Sequence, residues 1–62
     1  MNELKEAKVI TPDLRVPPGG KRVIVFCKDF GCLGYRDRDG VWRTDDGDEK
    51  INEVFAWLEF LN

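Results

Sequence analysis

The chain has 62 residues, 42% apolar and 35% charged, with 10 basic side chains against 12 acidic ones, no histidine and a net charge of −2. A domain this small buries only about 60% of the surface its unfolded chain exposes, which leaves little room for the water-excluding cavity in which larger enzymes tune pKa values. The charge balance is not that of a non-specific nucleic-acid binder, and no apolar run approaches the roughly 20 residues that span a membrane.

The start of the chain, "MNELKEAKVITPD", has neither an apolar core nor a small-residue cleavage site of a secretion signal, so the expected location is the cytoplasm, with reduced thiols. "NELKEAK" has room for one helical turn but no apolar stripe. "TPDLRVPPGG" holds all three prolines and two of the six glycines, and it ends any regular element before it. Residues 1–20 therefore read as an extended or partly frayed lead-in, and residues 21–62 as a single small β domain.

Strand chemistry begins at Lys21. "RVIVFCK" is β-branched and aromatic, "CLGYRD" is a second strand weakened by Gly34, and "GVWRT" is a short third. Between the last two, Asp39-Gly40 is a strong hairpin signal, because both turn positions tolerate positive φ. A two-residue turn there sets Arg36 opposite Arg43 and Tyr35 opposite Thr44. A loop over residues 28–31 sets Cys27 opposite Cys32, Phe26 opposite Leu33 and Ile24 opposite Tyr35. Alternation then places Ile24, Phe26, Leu33, Tyr35 and Trp42 on one continuous apolar face, the expected core. The other face carries Val23, Val25, Cys27, Cys32, Gly34, Arg36, Val41 and Arg43; its valine end needs cover and its arginine end is solvated.

The closing stretch "EKINEVFAWLEFLN" supports two readings. Ile51, Val54, Phe55, Leu58 and Leu61 fit helical spacing, with Asp48 as a cap. Val54, Ala56, Leu58 and Phe60 alternate with Phe55, Trp57, Glu59 and Leu61, as in a strand buried on both sides. Periodicity alone leaves both open.

Three patterns, "VPPGGKRVIVF", "YRDRDGVW" and "VFAWLEF", together resemble the small phage- and prophage-associated family called domain of unknown function 551, over roughly residues 10–60. That family has a Pro-rich lead-in before a Val-x-Val strand, a Trp after an acidic or Gly turn, and a closing Val-x-x-Trp. The chain departs from it where Ala56 stands for a usual His and Glu59 for a usual Pro, and an opening Trp is absent. The resemblance implies a strand for the C-terminal stretch, and it carries no assigned activity.

Site chemistry fares poorly. "GYRDRDGVWRTDDGDE" is rich in aspartate, but a calcium loop needs a ligand at its first position, where the two available registers place Trp42 or Tyr35. Cys27 and Cys32 have no second cysteine pair and no histidine to complete a zinc site; in the expected register they are cross-strand neighbours, most simply two reduced thiols. There is no serine, and the only threonines are Thr11 and Thr44. The carboxylates cluster in turns, where water keeps their pKa values ordinary. "PPGGKR" lacks the strand and helix that a phosphate loop requires. No cofactor and no enzymatic activity are expected.

Surfaces remain. Residues 21–43 carry six basic and three acidic side chains, net +3; residues 44–62 carry six acidic and one basic, net −5. Arg36, Arg38 and Arg43 gather around one hairpin, and seven aromatics are more than one small core hides, so that some of Phe30, Phe55, Trp57 and Phe60 should stay exposed. The candidate surface is Arg36, Arg38, Arg43, Phe55 and Trp57. The expected fold is mainly β, a twisted antiparallel meander of three to four strands, open or curled into an SH3-like barrel. The alternative is α+β with a C-terminal helix on one sheet face. The expected function is a non-enzymatic interaction module of phage or bacterial type, binding another protein or itself as a homodimer through open sheet edges. The alternative is a nucleic-acid-binding accessory protein that uses the arginines. No membrane partner is expected.

Overall fold

The computed structural model describes residues 6–61. The chain is mainly β, with no helix among the described residues. Five strands, β1 (Glu6–Ile10), β2 (Val23–Phe26), β3 (Gly31–Arg36), β4 (Trp42–Thr44) and β5 (Ala56–Leu61), form one antiparallel sheet in the order β1-β5-β2-β3-β4. The C-terminal stretch is thus a strand, and the alternative with a helix is not supported. The meander has two more elements than the three central strands: β5 inserts beside β2, and β1, from within the lead-in, pairs along β5 from Glu6 opposite Leu61 to Ile10 opposite Trp57. Of the helical turn considered for the first residues, 2–5 lie outside the described residues, and Glu6 to Lys8 are strand.

The two central hairpins differ from the expected register, for local reasons. Between β3 and β4 the loop has three residues, 38–40, not two. Asp37 donates its N–H to the Val41 carbonyl (2.8 Å), and its own carbonyl accepts the Gly40 N–H (3.0 Å). The Asp37 carboxylate accepts the N–H groups of Asp39 and Val41, both at 2.9 Å. Gly40 takes the left-handed conformation (φ +83°) that closes a three-residue loop. The extra residue slips the pairing by one: Arg36 faces Trp42 and Tyr35 faces Arg43. The β2–β3 turn is tighter than expected, with Cys27 N–H bonded to the Phe30 carbonyl at 2.7 Å. Val25 therefore faces Cys32, and Ile24 faces Leu33. Cys27 does not lie opposite Cys32, and both thiols are free and half-buried.

A slip of one residue exchanges the faces of a strand, and here it moves Trp42 onto the side of Val23, Val25, Cys32 and Gly34. That side is the core. Ile10, Val23, Val25, Ile51 and Trp57 form the buried cluster, with Cys27, Cys32, Trp42 and Val54 packed against it. The expected core face, Ile24, Phe26, Leu33 and Tyr35, is the opposite one. Two connections explain the reversal. The β1–β2 crossing brings Pro17 inside, and the β4–β5 crossing brings Ile51 and Val54 over the valines. Trp57 Nε1 donates to the Arg15 carbonyl (3.0 Å), the Arg15 guanidinium pairs with Glu59, and Gly20 N–H bonds the Arg36 carbonyl (2.9 Å), so the lead-in is tied down from described residue to described residue.

Among the described residues the sheet is open and not closed into a barrel: β1 and β4 stand at opposite ends of the strand order. Nor are both edges open. Residues 49–51 fold back along β4: Thr44 N–H bonds the Glu49 carbonyl and Ile51 N–H the Trp42 carbonyl, each at 2.8 Å, around an Arg43–Lys50 bridge. Among the described residues, β1 alone has an unpaired side.

Candidate functional site

The face opposite the core has two halves. Its apolar half follows directly from the registers. Val9 lies opposite Leu58, Leu58 opposite Ile24, and Ile24 opposite Leu33, one row crossing four strands. Phe26 and Phe60 stand two residues along β2 and β5 on the same face. Val9 is 64% exposed, Phe60 52% and Leu33 45%, while Ile24, Phe26 and Leu58 are half-buried. An antiparallel sheet with one wet face usually turns polar residues to water in alternation. Here six large apolar side chains occupy that face, three of them exposed.

The polar half lies toward β4. Arg22 stacks 4.0 Å from the Tyr35 ring centroid and donates to Asp45 (2.7 Å) and to the Gly20 carbonyl (2.8 Å). Arg43 donates through Nε to Asp37 (2.8 Å) and through Nη1 to the Asp48 carbonyl (3.0 Å). Tyr35 donates its hydroxyl to the Asp48 carboxylate at 2.5 Å, which favours the neutral phenol and pushes its pKa up. Asp48 sits at φ +57° after Gly47 at φ +97°, a turn held by Asp48 N–H on the Thr44 carbonyl (3.1 Å). Cation and carboxylate alternate across this half, so its charges are paired within the chain.

The expected arginine cluster is dispersed. Arg36 points to the core side opposite Trp42, with its guanidinium over Gly40. Arg43 is on the other face, held by Asp37. Arg38 is exposed in the hairpin loop, where it lines a shallow depression with Gly19, Gly20, Tyr35 and Asp37. Arg36 and Arg43 do not face each other, so no like-charge pair arises across the hairpin. Phe55 is 56% exposed, as expected for part of a contact surface, and Phe30 and Phe60 are exposed too. Trp57 is the correction: at 2% exposure it is a core residue, because β5 lies inside the sheet with the lead-in across it. No group of three or more cysteine, aspartate or glutamate side chains is placed to hold a metal among the described residues.

The exposed row escaped the reading of the sequence because "VIVF" is apolar in both alternating sets. Gly34 was the available signal. A glycine within a strand marks a close approach on its own face, and that face also carries Val23 and Val25.

Asp37 gives the polar half a defined pH response. The Arg43 guanidinium, with the N–H groups of Val41 and Asp39, holds its carboxyl below the ordinary aspartate range. A folded pKa below the unfolded one contributes stability that is complete above the unfolded value, near 3.9, and is lost as pH falls through the folded value. Asp37→Asn is expected to lower the melting temperature at neutral pH and to shrink its fall below about pH 4. Melting curves from neutral pH down to the acid transition check this; an unchanged acid limb would remove Asp37 as its source.

The chain matches no protein-family model, no curated protein and no solved structure. The resemblance to the domain of unknown function 551 family therefore rests on the three sequence motifs alone.

Proposed function

We propose that the protein is a non-enzymatic interaction module whose contact surface is the open sheet face. One observation carries this: Val9, Leu58, Ile24, Leu33, Phe26 and Phe60 form a contiguous apolar patch where a small soluble domain would turn polar groups to water. A domain buries its sheets between two layers, and here only the core face has its second layer. The charged groups beside the patch are engaged within the chain, so the partner the face favours is apolar, not polyanionic. Nucleic acid, the alternative, would draw on arginines of which Arg43 is paired with Asp37 and Arg36 lies on the other face.

The test is capture of binding partners from a lysate of the native host with wild-type chain and with Leu33→Glu. Leu33 is 45% exposed, so the variant is expected to stay folded and to lose whatever the wild type retains. Retention undiminished by Leu33→Glu would move the contact surface elsewhere.

A further inference from the structure

We propose that the peptide bond between Asp46 and Gly47 is a site of spontaneous isomerisation, which converts Asp46 to isoaspartate and loosens the segment folded back along β4. The proposal is independent of the open face.

The chemistry needs a carboxyl followed by an unhindered amide. The Gly47 nitrogen attacks Cγ of the Asp46 carboxyl. The amide proton and the carboxyl hydroxyl leave as water, and a succinimide ring closes. Water then opens the ring at either carbonyl. One opening returns aspartate; the other leaves the main chain running through the side chain, with no net gain or loss of atoms. Glycine is the favoured follower because it has no Cβ to obstruct the attack. The chain has two such pairs, Asp39-Gly40 and Asp46-Gly47.

The structure separates them. The Gly40 N–H is bonded to the Asp37 carbonyl at 3.0 Å, and a Cβ at Gly40 would lie 2.9 Å from Arg36 Nη2. That amide is engaged and overlaid by a guanidinium. The Gly47 N–H has no hydrogen-bond partner among the described residues, and a Cβ there would meet nothing nearer than Glu49 Cγ at 3.9 Å. The Asp46 side chain is exposed, whereas its neighbours in the turn are engaged, Asp45 by Arg22 and Asp48 by Tyr35.

Thr44 assists the attack. Its hydroxyl donates to the Asp46 carbonyl at 2.9 Å and accepts the Glu49 N–H at 3.0 Å. That carbonyl shares a peptide unit with the Gly47 nitrogen. As the N–H ionises, negative charge spreads onto the carbonyl oxygen, where the hydroxyl already stands. The bond from Glu49 polarises the hydroxyl and strengthens it as a donor.

The product bears on the fold. Isoaspartate adds a methylene to the main chain between Thr44 and Glu49, whose carbonyl accepts the Thr44 N–H. The turn is closed by the Asp48 N–H on the Thr44 carbonyl and by the Tyr35 hydroxyl on the Asp48 carboxylate, contacts made at the ordinary chain length. Lengthening it frees residues 49–51 from β4 and opens a second sheet edge.

Ageing the full chain in warm neutral buffer tests the proposal. Tryptic digestion places the two bonds in separate peptides, residues 39–43 and 44–50, and chromatography resolves isoaspartyl from aspartyl forms of equal mass. Isomer is expected to accumulate in the second peptide at least about fivefold faster than in the first, the rate equivalent of one hydrogen bond on the amide. In denaturant, where the fold protects neither amide, the two rates are expected to converge. Asp46→Glu, which can close only a slower six-membered ring, is expected to abolish the isomer in its peptide. Equal rates in the folded chain, or faster isomerisation at Asp39, would overturn the assignment, as would isomer that persists in Asp46→Glu. A preference unchanged in denaturant would overturn the part given to the fold. In the purified isomer the Thr44 and Ile51 amides, which bond across to residues 49 and 42, are expected to exchange hydrogen faster than in the unaged chain; unchanged exchange would overturn the opening of the edge.

Discussion

Trp57→Ala is expected to leave the chain unfolded at room temperature. Trp57 is among the largest fully buried side chains, 2% exposed, and packs with Val25 opposite it and Ile10 on the far side. Truncating a buried tryptophan costs about 3–5 kcal/mol, from lost transfer energy and the cavity left behind. It also leaves the Arg15 carbonyl without its indole donor, so the crossing segment loses one of its ties. At about 0.05–0.15 kcal/mol per residue, a chain of this length holds only about 3–9 kcal/mol in total. Trp42→Ala is expected to cost less, because Trp42 is half-buried at the end of the core. Circular dichroism and thermal melts of the two variants side by side check this. A cooperative Trp57→Ala melt close to that of wild type would show that the core does not depend on it.

Gly34→Ala is expected to be nearly as damaging, although it adds a single methyl group. A Cβ at Gly34 would lie 2.6 Å from the Arg43 carbonyl oxygen, 3.2 Å from Ile51 Cδ1 and 3.4 Å from Val25 Cγ2. Arg43 belongs to β4, so the closest obstacle is backbone, and no rotamer change relieves it. Forcing β3 and β4 apart strains the short ladder that sets the Trp42 and Thr44 pairings; overpacking of this kind costs about 1–3 kcal/mol, and more where the backbone must move. Gly31→Ala is the matched control. Its Cβ meets first the Phe26 ring at 3.3 Å, a side chain on the open face that can turn aside. A melting temperature for Gly34→Ala within a few degrees of the Gly31→Ala value would mean that β4 can shift freely.

These two residues show where the sequence was legible. Gly34 was read only as weakening its strand although it marks a close approach on one face, and Trp57 stood in an apolar run that both alternation and helical spacing could use. The strands over "VIVF", "CLGYR" and "WRT" were marked by β-branched and aromatic residues bounded by glycine and aspartate, and they form where that chemistry places them. The turn at Asp39-Gly40 was equally plain. Its length was not, because that depended on Asp37, whose carboxylate collects two loop N–H groups and Arg43. One additional loop residue reversed β4, and with it the expected facing of Arg36 and Arg43.

Composition and local pattern thus determined by themselves a small, mainly β chain with a Pro- and Gly-rich crossing and an aspartate-capped hairpin, because β propensity and turn chemistry act within a few residues. Only the tertiary structure decided which face is the core. β2 offers Val23 and Val25 to one side and Ile24 and Phe26 to the other, apolar on both. The choice fell to segments far along the chain, since Ile51 and Val54 pack with the valines and Pro17 is buried in the crossing from β1 to β2. The same long-range placement buried Trp57 and left Val9, Leu33 and Phe60 in the open. Burial depends on what crosses above a strand, and that is set by connections whose paths no local alternation encodes.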